Sequence, residues 1–189
     1  MSTSSPIQIS DFFGSYPDIN DPLFNTYISR KEEFCELKPE ITEPPPVRGE
    51  SFKHQKFAVR YLTHYDRLLL VHEPGTGKSC IIAHSAELFK REHFRNPDDP
   101  TKIRRAIILI KGPTLFDNIR HEIVCKCTKE YETEAVIQAT DESIRKRKIT
   151  SELNAWYDIM TYSDFAKKIL NFKRDEDLEA YMSNIVICR

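Results

Sequence analysis

Apolar residues gather in short, dense runs along this chain. Residues 68–71 and 106–110 are apolar at every position, and residues 156–161 and 184–188 are mostly so. Runs of this length without polar alternation suit strands of a parallel sheet covered on both faces. Between and before them, apolar positions recur every three or four residues. Phe57, Tyr61 and Leu62 do so within 51–62, and helices are predicted over 78–90, 115–126, 164–170 and 175–181. Thr114 stands where it would cap the helix over 115–126. Another helix opens at Thr140-Asp141-Glu142, and 133–139 reads as one more short strand. Strand and helix alternate in the order that gives an α/β fold, a parallel sheet with helices on both faces.

The first apolar run, 67–71, leads into His72-Glu73-Pro74-Gly75-Thr76-Gly77-Lys78-Ser79 and then into the helix over 78–90. Gly75 and Gly77 permit backbone angles and close approach that a β-carbon would block, so successive N–H groups can turn inward as an anion nest. Lys78 is placed to reach the β- and γ-phosphates of a nucleotide, and the Ser79 hydroxyl to ligate Mg²⁺. The helix that follows aims its dipole and its free N–H groups at the same phosphates. The pattern departs from G-x-x-x-x-G-K-[ST] at one point, where His72 occupies the first glycine position. The phosphate-cradling half, Pro74 to Ser79, is intact. The other reading of these residues is a glycine-rich turn ahead of an amphipathic helix.

Composition divides the chain. Residues 1–50 hold seven of the eleven prolines and nine acids against four bases. They read as a Pro-rich acidic tail, largely irregular, with short helical pieces around 24–34. Pro44-Pro45-Pro46 within it is a stiff spacer or a ligand for a proline-reading domain. The folded domain is expected over 51–189, where twenty acids face twenty-four bases; that excess is compatible with nucleic acid. Five cysteines in a chain without a signal peptide predict reduced thiols and an intracellular setting. Cys125-x-Cys127 lacks the second pair a zinc site would want and is expected at a helix end. His54, His64, His72, His84, His93 and His121 show no metal-ligand spacing and read as ordinary surface or loop residues. No apolar run approaches the ~18 residues of a membrane span.

Three further places carry candidate chemistry. Phe52 and Gln55 lie just upstream of the phosphate loop; the carboxamide of Gln55 can both donate to and accept from an adenine edge while the aromatic ring covers the base. Lys111, the Gly112 amide and the Thr114 hydroxyl follow the strand over 105–110, at the carboxyl end where parallel sheets place ligands. They suit a nucleic-acid phosphate, or form a capped turn with a solvated lysine. Arg145, Lys146, Arg147 and Lys148 are the densest basic cluster: a solvated helix face, a nuclear-import signal or a phosphate-tracking patch. Thr161 and Asp164 fit a helix-capping pair.

The order of these parts resembles the first RecA-like domain of a superfamily 2 helicase. Phe52-x-x-Gln55 looks like the adenine-reading motif, His72 to Ser79 like motif I, Lys111 to Thr114 like motif Ia, and Thr161 to Ser163 like the Ib-region loop. More narrowly, His-Glu-Pro-Gly-Thr-Gly-Lys-Ser, Lys-Gly-Pro-Thr-Leu and Ile-Met-Thr-Tyr-Ser-Asp-Phe-Ala-Lys resemble helicases of nucleocytoplasmic large DNA viruses, including poxvirus and asfarvirus nucleoside triphosphatases linked to early transcription. In that group His also stands at the first loop position. The resemblance covers residues 22–189. It implies ATP and Mg²⁺ as cofactors, Lys78 as the catalytic cation, and Phe52, Gln55 and residues 74–79 as nucleotide ligands. It also implies that Lys111, Gly112, Thr114 and Thr161 contact a DNA or RNA backbone.

The implied partners are nucleic acid, a second RecA-like domain and viral transcription machinery, in the host cytoplasm or virion and away from membranes. The family pattern continues with an Asp-Glu pair at the end of the fourth strand and a second domain that carries an arginine finger. Arg189 is expected either to replace that metal-binding Asp or to fall one residue before it. The chain is therefore expected to be an amino-terminal helicase fragment, truncated before motif II, that binds ATP without turning it over. Two other functions stand beside it: a P-loop kinase for a small substrate and a non-enzymatic nucleotide-binding remnant. Kinases of that type usually begin with the phosphate-loop strand, whereas here a Gln-bearing helix precedes it.

Overall fold

A computed structural model of the chain describes residues 16–38, 44, 47, 49–99, 102–139 and 141–188. Two short helices, α1 (Phe24–Arg30) and α2 (Glu32–Cys35), precede α3 (Lys53–Tyr61). After the phosphate-loop segment come α4 (Lys78–Arg95) and strand β1 (Arg105–Ile110). A 3-10 turn, Pro113–Leu115, then leads into α5 (Phe116–Glu122) and a π-helical turn, Ile123–Cys127. The remainder is α6 (Glu134–Ile137), α7 (Glu142–Trp156), β2 (Tyr157–Thr161), α8 (Tyr162–Leu170), α9 (Asp175–Ser183) and β3 (Ile185–Cys188).

The three strands pair in parallel in the order β2-β1-β3, with Ile108 opposite Ile159 on one side and Cys188 on the other. Side chains alternate across a strand, so β1 feeds two cores. Ala106, Ile108 and Ile110 pack with Ala83 and Ala86 of α4, with Ile123 and Cys127, and with Leu153 and Trp156 of α7. Ile107 and Leu109 join Met160 and Ile185 on the other face, against Phe165 of α8 and Tyr181 of α9. Burying one such aliphatic side chain is worth about 1.5–3 kcal/mol. Continuous burial from Ala106 to Ile110 is what a strand with no polar alternation requires. Both the parallel sheet and the helices on its two faces therefore agree with the hydrophobic pattern.

A polar cluster crosses the first of these cores. Glu87 of α4, 2% exposed, accepts from the Tyr131 hydroxyl at 2.8 Å and the Tyr157 hydroxyl at 2.9 Å, and the Lys90 ammonium lies 3.3 Å from its second oxygen. Burial first, and then the Glu87 carboxylate, raise both phenols above their ordinary range. A buried carboxylate is tolerated because every oxygen faces a donor or a cation.

Several expectations are corrected. Residues 67–71 form no strand and take no part in the β2-β1-β3 sheet. Its side chains nevertheless alternate in burial: Leu68 and Leu70 line an apolar groove of about 300 Å³ with Phe34, Leu37 and Phe57, while Leu69 and Val71 are 84% and 86% exposed. That is the alternation of a strand without its hydrogen-bonded neighbour. Residues 133–139 hold helix α6 instead of a strand; Val136 and Ile137 both donate to the Thr133 carbonyl, a local closure that needs no sheet edge. Thr114 does not cap a helix but lies inside the 3-10 turn, with Gly112 at the cap position and Pro113 behind it. Trp156 ends α7 before β2 begins.

Within the amino-terminal part, Ile28 and Phe34 of the two short helices pack on Tyr61 of α3 with Tyr16, Phe24 and Phe57. Arg60 donates to the Glu33 carbonyl and pairs with Glu36. Of the triple-proline run only Pro44 is described, and Pro45, Pro46 and Thr140 lie outside the described residues.

Candidate nucleotide site

The loop from His72 to Gly77 turns on two glycines with positive φ, Gly75 at 85° and Gly77 at 76°. Gly77 is doubly constrained. A β-carbon there would also lie 2.3 Å from the Gln55 side-chain nitrogen, so a larger residue would strain the backbone angle and displace the Gln55 carboxamide from the loop. Gly77 occupies the N-cap position of α4, and its carbonyl accepts from the Cys80 and Ile81 amides at 3.0 and 3.2 Å. The Thr76 N–H turns toward the Glu73 carbonyl across the Pro74–Gly75 turn, and those of Gly77, Lys78 and Ser79 donate no hydrogen bond among the described residues. Three consecutive free amides at a helix start are an oxyanion-binding surface. The Lys78 ammonium donates to the His72 and Glu73 carbonyls at 3.0 and 2.7 Å. That uses two of its three N–H donors and folds the cation over the loop. Ser79 sits in the first turn of α4, and Pro74 and Gly75 are exposed.

Helix α3 holds this loop from behind. Phe52 is its N-cap residue, and the Gln55 side chain reaches back to accept from the Phe52 amide at 2.9 Å. This is one half of a capping box; phenylalanine has no acceptor to supply the other. The Gln55 amide nitrogen donates onward to the Gly77 carbonyl at 3.2 Å, and the residue is only 3% exposed. These bonds occupy one donor and one acceptor of a group that has two of each. Phe52, 37% exposed, lies with its ring nearly parallel to that of His54 at 5.5 Å. His54 itself reaches the Thr76 carbonyl at 3.0 Å and meets the His72 ring edge-on.

His54 is thus more than the surface residue the spacing suggested. Besides His54, His84 of α4 points Nε2 at the Cys127 carbonyl and Nδ1 at the Ser51 hydroxyl, 2.6 Å away. A carbonyl can only accept, so Nε2 carries the proton and Ser51 donates to Nδ1. The only hint in the sequence was the position of these histidines, His54 next to Gln55 and His84 inside the phosphate-loop helix.

The cysteines depart from the expectation of free thiols. Cys80, in the first turn of α4, is bonded to Cys127 at the end of the π-helical turn, across 47 residues of sequence. The two helical segments pack side by side with these Cα atoms 4.8 Å apart, a proximity that close spacing such as Cys125-x-Cys127 cannot reveal. Cys35 and Cys125 are exposed thiols, and burial pushes the Cys188 thiol up to about 11. Among the described residues no group of three or more potential metal ligands occurs, and no helix is long and apolar enough to cross a membrane.

The second expected surface lies at the carboxyl ends of β1 and β2. The pairing of Ile110 with Thr161 sets Lys111 and Gly112 beside the start of α8. Lys111 and Thr114 are exposed, as is Tyr162. Thr161 caps α8: its hydroxyl accepts from the Asp164 amide and donates to the Asp164 carboxylate at 2.7 Å. The capping pair is therefore formed, and its carboxylate lies beside any phosphate that Thr161 would bind. Arg145, Lys146, Arg147 and Lys148 all lie on exposed positions of α7, with Lys146 paired to Glu142.

A parallel sheet between two helical layers, with a glycine-bearing loop opening the long helix α4, defines an α/β domain compatible with the RecA-like class. No protein-family model and no solved structure matches the chain. Curated relatives come from large DNA viruses. "Putative helicase 087L" of Invertebrate iridescent virus 3 is 30% identical over 94% of this chain, and "Putative helicase 009L" of Frog virus 3 is 30% identical over 72%. "Putative ATP-dependent RNA helicase L377" of Acanthamoeba polyphaga mimivirus is 33% identical over 59%. The chain is related to these viral helicase-named proteins, and it spans 18%, 14% and 10% of their respective lengths.

Proposed function

We propose that this chain is the ATP-binding part of a nucleic-acid-dependent helicase or NTPase, and that it binds Mg·ATP through residues 74–79. The observation that carries this reading is the set of three amides from Gly77 to Ser79 that are free among the described residues, with Lys78 folded over the loop and Gly77 at the head of α4. Such a nest fits the phosphates of a nucleotide, and one hydroxyl, that of Ser79, suits a Mg²⁺ that keeps its remaining ligands as water and phosphate oxygens. Phe52 and Gln55 stand beside the loop as candidates for the adenine. Lys111, Gly112, Thr114 and Thr161 would meet a DNA or RNA backbone without reading its sequence. The helicase names of the relatives, one of them an ATP-dependent RNA helicase, support that assignment.

Turnover is a separate matter. In P-loop ATPases it also uses a carboxylate on the metal and an arginine at the transferred phosphoryl group. Residues 1–189 are assigned binding without measurable turnover. Titration of labelled ATP tests the binding. Lys78→Ala should weaken it by about 1.5–3 kcal/mol, the value of a charge-assisted phosphate contact. Unchanged affinity in that variant would reject the site, and phosphate release on the order of 1 s⁻¹ that vanishes in Lys78→Ala would reject binding without turnover.

A further inference from the structure

We propose that His54 is a positioning residue of the phosphate loop, holding the Thr76–Gly77 peptide so that the Gly77 amide is presented to phosphate; the proposal rests on the nucleotide reading above. His54 Nε2 lies 3.0 Å from the Thr76 carbonyl oxygen. That oxygen can only accept, so the imidazole is protonated at Nε2. No cis peptide bond occurs among the described residues, and in a planar trans peptide the carbonyl and the amide point in opposite directions. Drawing the Thr76 oxygen toward α3 therefore turns the Gly77 N–H away from α3, where it has no partner among the described residues.

The imidazole is itself fixed from two sides. The Phe52 ring lies nearly parallel to it, and the His72 ring meets it edge-on at 5.8 Å. The neighbouring Gln55 grips the next carbonyl, that of Gly77. Two consecutive residues of one helix thus hold two consecutive carbonyls of the loop. Gly77 needs this support because φ near 76° is one of several conformations open to glycine, and a loop that samples the others offers its amides at a lower effective population.

The role separates phosphate recognition from base recognition, and the test uses that. Affinities of the full chain for ATP, GTP and inorganic tripolyphosphate are measured for the native protein, His54→Phe, His54→Gln and Lys78→Ala. His54→Phe keeps a ring against Phe52 but removes the donor, whereas His54→Gln restores an N–H at comparable reach. His54→Phe is expected to weaken all three ligands alike, by roughly tenfold, the equivalent of one lost hydrogen bond. His54→Gln should recover most of the loss. In ¹⁵N-labelled protein the Gly77 amide proton should shift downfield on tripolyphosphate binding in the native chain and His54→Gln, and not in His54→Phe.

Native affinity in His54→Phe, or equal losses in both variants, overturns the positioning role. A second measurement does not depend on any variant folding: imidazole ¹⁵N shifts of the native protein must show His54 protonated at Nε2. An Nδ1–H tautomer cannot make the bond and ends the proposal. Lys78→Ala keeps the two failures apart. If it too binds tripolyphosphate normally, the nucleotide reading has failed; if it alone loses binding, only the role of His54 has.

Discussion

In β1 five consecutive side chains, Ala106 to Ile110, are at most 8% exposed and are divided between two helical layers. In residues 68–71, equally apolar in sequence, every second side chain stands in water. The first stretch is held by ladder hydrogen bonds on both edges and by burial on both faces. The second is held from one side only, by the groove under Leu68 and Leu70, and its continuation into the loop depends on side chain-to-carbonyl bonds from His54, Gln55 and Lys78. The same hydrophobic pattern thus produces two mechanically different objects. A sheet core resists single changes through many weak contacts, whereas the loop is set by a few directional ones, each worth about 1 kcal/mol.

The disulfide joins these two regimes, because Cys80 belongs to the first turn behind the loop and Cys127 to the core that covers β1. Closing a loop of 47 residues restricts the unfolded chain by about 4 kcal/mol in the chain-entropy account. The double variant Cys80→Ser/Cys127→Ser, or reduction of the native chain, should therefore lower stability by up to that amount, a fall of roughly 8–16 °C in Tm for a chain of this size. Calorimetry with and without reductant measures it. An unchanged Tm would mean that the loop helix and the β1 core are not coupled through this bond.

A smaller effect is expected from the polar cluster behind the sheet. Tyr131→Phe removes one donor to the buried Glu87 carboxylate and should cost about 1–2 kcal/mol at neutral pH. Its pH dependence follows from the raised phenol. A group whose folded pKa lies above its unfolded value contributes stability that is whole below the unfolded value, near 10 for tyrosine, and is lost as pH rises beyond it. The native chain should thus lose stability as pH climbs above about 10. Tyr131→Phe, one raised phenol fewer with Tyr157 remaining, should lose it less steeply. Equal slopes in alkaline denaturation curves would break the link between that burial and stability.

The strands at 105–110, 157–161 and 185–188 and most helices were legible because burial on two faces leaves a continuous apolar run and burial on one face leaves a period near 3.6. The loop was legible from Gly75, Gly77, Lys78 and Ser79, since each residue type answers one geometric demand. Residues 67–71 misled because an apolar run records what a segment would bury against, and cannot record whether a neighbour strand is at hand. Residues 133–139 misled for the converse reason: Val136 needs burial, yet one helical turn on α7 supplies it. The disulfide and the contacts of His54 and His84 join residues 22, 43 and 47 positions apart, or 33 for Ser51 and His84, so no local pattern carries them. Gln55 suggests a base contact by its place upstream of the loop, whereas its described partners are the Phe52 amide and the Gly77 carbonyl; loop support is a duty that the sequence does not suggest.

The smallest expected effect is also the sharpest probe of the comparison. Leu69 and Val71 are more than four-fifths exposed, so Leu69→Ser and Val71→Thr should change stability by no more than about 0.5 kcal/mol, as surface substitutions do. Leu68→Ala and Leu70→Ala remove methyl groups from the groove shared with Phe34 and Phe57, and because that groove is open, each should cost less than the 2–5 kcal/mol of a closed core. The period-2 contrast between even and odd positions is the signature of an extended segment covered on one side. Urea denaturation of the four variants reads it directly. If Leu69→Ser or Val71→Thr cost 2 kcal/mol or more, the outer face of this segment is covered in solution, and the loop would rest on a paired strand instead of on the few bonds from α3.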